Sequence, residues 1–139
     1  MRILAIDPGE KRIGIAISDP TATIAKPYTI IKHISRASDA ATIASLAEEM
    51  NVGLIVIGQA LDVENNPTVQ GRRAARLAGA IRERTRISVK LWDESGSTQS
   101  SIRLRNTLGI QQKKRREPDD SLAAMFILQD YLDVMKLEQ

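Results

Sequence analysis

The chain predicts an α/β fold in which a mixed sheet, part antiparallel hairpin and part parallel strands, carries helices on its faces. Three observations predict it. Residues 3–6 and 54–57 are short, wholly apolar runs, which read as strands buried on both faces, the habit of a parallel sheet. After the first run, Ile13, Ile15 and Ile17 alternate with Gly14, Ala16 and Ser18, a period-two pattern that makes the return arm of a hairpin. The stretches flanking the second run place apolar residues at helical spacing. With one Trp, one Phe and two Tyr in 139 residues, the core must be built from Ile, Leu, Val and Ala, which suits the same architecture.

Taken in order, the first strand stops at a carboxylate, Asp7, and Pro8-Gly9 supplies turn chemistry. Asp7 reads either as a turn aspartate bonding its own backbone or as a ligand at the lip of a central strand, kept open by Gly9 and Gly14. Residues 23–32 form a third strand, and Pro27, which cannot donate to a ladder, makes it an edge. Ser38 or Asp39 then caps a helix whose apolar positions are Ile43, Leu46, Ala47 and Met50, and Asn51-Val52-Gly53 stops it. A right-handed crossover makes the run at 54–57 parallel to the first strand and sets its end, Gly58, beside Asp7. Residues 59–68 are polar, with the turn signal Asn65-Asn66-Pro67, and predict a flexible loop over that edge.

A second amphipathic helix follows over 69–84, with Ala74, Ala75, Leu77, Ala78 and Ile81 inward. The next strand, 88–92, ends in Asp93-Glu94, and regular crossovers open it on the same sheet edge as Asp7. Ser95 to Thr98 form a polar turn, with a helix predicted to run on to Leu108. Pro118-Asp119-Asp120 opens a closing helix, apolar on nearly every side, that reaches about residue 135. Asp120 heads the stripe of Ala123, Ala124, Ile127, Leu128 and Tyr131, while Asp119 is better placed as the N-cap. Capping and helix-dipole duty would also account for both carboxylates.

Composition narrows the chemistry. There is no cysteine and a single histidine, His33, so disulfides, thiolate metal sites and multi-histidine zinc centres are excluded. No charged leader and no apolar run of about 20 residues occurs, which points to the cytoplasm and to no membrane partner. The length fits one domain, residues 1–139. Net charge is only +3, from 20 basic and 17 acidic residues, but the basic ones cluster. Arg72, Arg73, Arg76, Arg82, Arg84 and Arg86 crowd one segment, and Lys113, Lys114, Arg115 and Arg116 form a block. Such clusters suit a polyanion, solvated faces being the alternative.

Asp7, Glu94 and Asp120 stand where the topology can gather them. Carboxylate-only ligation suits Mg²⁺ or Mn²⁺, and two such ions about 4 Å apart can activate water and stabilise a leaving oxygen in phosphodiester cleavage. No Ser-His-Asp set and no P-loop is present.

With these residues in view, the chain resembles the YqgF-type family of Holliday junction resolvases, also described as pre-16S ribosomal RNA nucleases, within the ribonuclease H-like superfamily. The matching segments are residues 4–19 (LAIDPGEKRIGIAISD), 55–58, 89–94 (VKLWDE) and 120–132 (DSLAAMFILQDYL). The resemblance implies a mixed five-stranded sheet flanked by helices on both faces. It also implies Mg²⁺- or Mn²⁺-dependent cleavage of structured nucleic acid, with 5′-end trimming of precursor 16S rRNA as the expected role. Its acids fall on Asp7, Glu94 and Asp120, as catalytic residues and metal ligands. Expected partners are precursor rRNA or branched DNA, gripped by Lys11, Arg12, Arg72, Arg73 and the block at 113–116, and possible ribosomal particles; a monomer or weak homodimer is expected. Two departures stand out. The family's Gly-Leu-Pro is Gly58-Gln59-Ala60 here, and its Asp-Glu-Arg-Leu-Thr-Thr is Asp93-Glu94-Ser95-Gly96-Ser97-Thr98, so an arginine able to clamp a phosphate bidentately is replaced by Ser95. A nucleic-acid-binding module with a decayed metal site is the competing reading. The hairpin also looks like the phosphate loop of sugar kinases and actin-like ATPases, but those need two such domains.

Overall fold

The computed structural model describes residues 1–94 and 120–138, Asp120 by its backbone alone. Five strands, β1 (Arg2–Pro8), β2 (Arg12–Ser18), β3 (Ala25–Lys32), β4 (Val52–Gln59) and β5 (Ser88–Asp93), form one sheet in the order β3-β2-β1-β4-β5. β1 pairs antiparallel with β2 and parallel with β4, and β4 pairs parallel with β5. The hairpin and the crossovers therefore fall as the apolar runs predict, and β1 is the middle strand.

Period-two alternation sorts the side chains into two cores. Leu4 and Ile6 of β1, Ile55 and Ile57 of β4 and Val89 of β5 pack with the buried residues of α1 (Arg36–Glu49) and α2 (Val69–Arg82). Ile3, Ala5 and Val56 face the other way, onto α3 (Asp120–Leu137), whose residues 124–128 are all buried. That all-round apolar helix is the lid of the second core. Trp92 fixes it to β5: its ring meets Tyr131 edge-on at 5.1 Å, and its Nε1 donates to Asp130 Oδ2 at 3.1 Å.

Several boundaries differ from the sequence reading, each for a local reason. β3 is an edge as predicted, and its ladder skips Tyr28, passing from Thr29 opposite Ile15 to Pro27 opposite Ala16. The proline thus sits at a bulge, where a missing N–H is tolerated. α1 is capped earlier than Ser38 or Asp39, by Ser35, whose Oγ accepts from Ser38 N at 3.1 Å. Asp39 is instead buried, accepting from Ile34 N at 3.1 Å and hydrogen-bonded to His33 Nδ1. Asn51, with φ 53°, turns the chain out of α1. The loop predicted to be flexible is closed on itself: Asp62 Oδ1 accepts from Glu64 N and Asn66 N, both at 2.9 Å. Thr68 then caps α2, accepting from Gly71 N at 3.1 Å. α2 stops at Arg82, whose guanidinium donates to Val89 O at 2.7 Å. The helix predicted before Leu108 lies outside the described residues.

Candidate active site

Register and alternation fix where the acids go. Asp7 shares its parity along β1 with Ile3 and Ala5, so it belongs to the α3 face. It pairs with Gly14 across the hairpin, and its neighbour Ile6 pairs with Ile57, which makes Gly58 the next residue along on β4. On β5, Val89 and Leu91 face α1 and α2 whereas Trp92 faces α3, so Glu94 joins Asp7's side and Asp93 the opposite one. Glu94 leaves the strand with its N–H donating to Gln59 O at 3.2 Å. Both acids therefore lie at the C-terminal ends of parallel strands, on one face of the sheet.

Two strand spacings, about 10 Å, separate β1 from β5. Gly58 opens the space between them. A Cβ at position 58 would lie 2.8 Å from Glu94 Oε2 and 2.6 Å from Ile127 Cδ1, so the Glu94 carboxylate leans across β4 into room that any other residue would fill. Although Glu94 keeps an exposed edge, that carboxylate is desolvated against Gly58 and Ile127. Burial first, and the charge of Asp93 second, raise its pKa above the ordinary 4.5. An oxygen acid held in that state favours an adjacent cation.

The third acid of the sequence reading, Asp120, is the first residue of α3. Ile127 touches the Gly58 position, whereas Asp130 and Tyr131 meet Trp92, and Lys90 Nζ lies 5.4 Å from the Tyr131 ring centre. Trp92 pairs with Gly58, Lys90 lies two residues further from the rim, and Gln129 Oε1 accepts from Ala25 N at the far start of β3. Contacts thus retreat from the rim as α3 proceeds, and its N-terminus is directed at the end of the sheet that bears Asp7 and Glu94. Asp120 opens the helix, about 10 Å of axial rise before Ile127. Among the described residues no group of three His, Cys, Asp or Glu side chains is close enough to hold a metal ion, so a three-carboxylate site depends on Asp120. The donors available at the rim are hard oxygens, the type Mg²⁺ and Mn²⁺ take.

The basic residues separate. Lys11 and Arg12 are exposed on the hairpin turn, where Lys11 O accepts from His33 N at 2.9 Å. Arg72 is exposed and donates to Pro67 O at 3.2 Å, while Arg73 is half-buried and lines a cleft behind the turn with Pro8, Gly9 and Arg76. Lys113, Lys114, Arg115, Arg116 and Ser95 lie outside the described residues. The departure at Gln59 has a structural use, since its Nε2 donates to Gly71 O at 3.1 Å and ties the end of β4 to the start of α2. Sequence reasoning passed over the part of Gly58 in seating Glu94, although a glycine ending a buried apolar run was the available signal.

Comparison with known proteins gives the family and the fold. Residues 1–134 match the family model described as RuvX, Holliday junction resolvase. A relative from Thermoanaerobacter pseudethanolicus is 39% identical over 137 residues, 98% of this chain and 99% of that one. A second, from Ehrlichia canis, is 36% identical over 138 residues, 99% of this chain and 88% of its own length. Both carry the name "Putative pre-16S rRNA nuclease". Among solved structures, T. thermophilus RuvC in complex with Holliday junction substrate aligns over 100% of this chain and 97% of its own, with TM-score 0.67 and 11% identity. The fowlpox virus Holliday junction resolvase aligns over 96% and 99%, with TM-score 0.54 and 16% identity. At those identities the likeness is one of fold, that of the ribonuclease H-like resolvases.

Proposed function

The chain belongs to the RuvX family of Holliday junction resolvases, and on that premise we propose that it is a divalent-metal-dependent nuclease of structured nucleic acid, acting in the cytoplasm on the 5′ end of precursor 16S rRNA. The observation that carries this reading is the shared face of Asp7 and Glu94, with Gly58 open between them. Asp7, Glu94 and Asp120 are the ligands for Mg²⁺ or Mn²⁺. A bound divalent ion supplies an activated water and charge stabilisation at the phosphate. The chain's own residues do the rest. Asp7 stands on the middle strand of the sheet, and Glu94 is held over Gly58 by its backbone bond to Gln59. Lys11 and Arg12 set the phosphate backbone along the rim, a positioning role for exposed cations. Among the described residues no helix is long and apolar enough to cross a membrane.

The purified protein decides between this and a binding module of the same fold, a reading the serine at position 95 favours. It is to be incubated with four-way junction DNA and with a precursor 16S rRNA fragment, in Mg²⁺, Mn²⁺ or chelator. Cleavage in metal that stops in chelator is expected, with the precursor fragment the better substrate. Salt-sensitive binding without metal-dependent cleavage would identify the binding module.

A further inference from the structure

Behind the hairpin turn, on the α1 and α2 side of the sheet, a cleft of about 290 Å³ is lined by Pro8, Gly9, His33, Arg36, Arg73 and Arg76. Three arginines from two helices meet there. Arg73 and Arg76 are three apart on α2 and share a face, whereas Arg72 turns away to Pro67. Arg36 opens α1 directly after its cap, Ser35. The carboxylate in the lining, Asp39, is 3% exposed and already engaged by His33 Nδ1 and Ile34 N. Arg73 is steadied by Gln70 Oε1 at 3.2 Å, but among the described residues Arg36 and Arg76 have neither a hydrogen bond nor an ion pair. Three cations beside one carboxylate that is already bonded leave an excess of positive charge, and a guanidinium fork matches the oxygens of a phosphate.

The cleft is near the small end of ligand pockets, which start at about 300 Å³, so it suits a phosphate group better than a stacked nucleoside. Its place matters more than its size. Gly9 follows Asp7 by two residues, no more than about 7 Å of chain. A nucleic-acid strand with one phosphate at the acidic rim would carry another over the Pro8-Gly9 turn. We infer that this cleft binds a backbone phosphate of the strand being cleaved, through Arg36 and Arg76 with Arg73 in support. The assignment rests on the nuclease reading and adds to it a second anchoring point, on the opposite side of the rim from the acids.

The test measures binding of labelled junction DNA and labelled precursor rRNA in chelator across a range of salt, by fluorescence anisotropy. Arg36→Ala/Arg76→Ala removes two exposed side chains and leaves the cores intact. It should weaken binding to both substrates and lower the slope of log affinity against log salt by about one, the signature of a lost phosphate contact. The matched pair Lys26→Ala/Lys136→Ala removes the same charge from exposed sites away from the cleft and should change the slope by less than half as much. An unchanged slope in the arginine pair, or an equal loss in the lysine pair, would overturn the cleft while leaving the nuclease reading standing. No binding by the wild-type chain would overturn both.

Discussion

Glu94 is the residue at which the proposed site can be interrogated without substrate. Its carboxyl binds a proton more tightly in the folded protein than the ordinary 4.5 allows, through burial and then through Asp93. As pH rises from that value through the raised one, the unfolded chain gives up its proton first, so ionising Glu94 draws stability from the fold. Glu94→Gln should therefore melt above wild type at pH 7 in chelator, and the difference should vanish near pH 4, where both side chains are neutral. Added Mg²⁺ should stabilise wild type and not the variant, since a ligand that binds only the folded state raises its melting point. Thermal melts at the two pH values check this, and a variant that melts lower at pH 7 in chelator would refute it. Asp19 shows the reverse: the Ile24 N–H, the Thr21 hydroxyl and the Thr23 N–H hold its carboxyl well below the carboxylate range, which marks a structural turn. Asp7 and Glu94 were legible in the sequence because each ends an apolar strand. Arg76 stood out in a basic cluster, but its meeting with Arg36 was not legible, since the two are some forty residues apart and Asp39 looked like a cap rather than the partner of His33.

At the scale of elements, the site depends on how β4 lets β5 and α3 approach. Gly58→Ala would place a methyl against the far ends of two flexible side chains, Glu94 and Ile127, rather than against backbone. Both can move. The variant should keep its stability to within about 1 kcal/mol, the loss of fit being offset by alanine's lower folding entropy cost. Nuclease activity should fall at least tenfold, because the Glu94 carboxylate is the group displaced. Gly71→Ala is the contrast, since its Cβ would meet Ala60 O at 2.3 Å, a backbone atom that cannot swing aside. Denaturant melts and cleavage rates measured together separate the two; a Gly58→Ala enzyme of full activity would remove Gly58 from the account. The element order was readable from residues 3–6, 13–17 and 54–57, since buried strands leave apolar runs of their own length. The start of α1 and the course of the loop after β4 were not. Ser35 and Asp62 compete with nearby polar residues for the same backbone amides, and only the folded chain decides which wins.

For the molecule as a whole, the order β3-β2-β1-β4-β5 does the gathering. Parallel pairing brings the ends of β1, β4 and β5 to one rim, alternation puts Asp7 and Glu94 on the side that α3 covers, and α3 starts with its N-terminus toward that rim. Residues 87 positions apart in the chain, 7 and 94, thereby meet a single face, which spacing in the sequence suggests only once the crossovers are assumed. The other side of the same rim carries the arginine cleft, so acid and base lie back to back across one hairpin turn. Diffraction at the manganese edge from crystals grown in Mn²⁺ tests this arrangement most directly. The account predicts an anomalous peak at about 2 Å from oxygens of both Asp7 and Glu94, with Asp120 beside it. A peak bound elsewhere, or Asp7 and Glu94 each solvated with no ion between them, would contradict it.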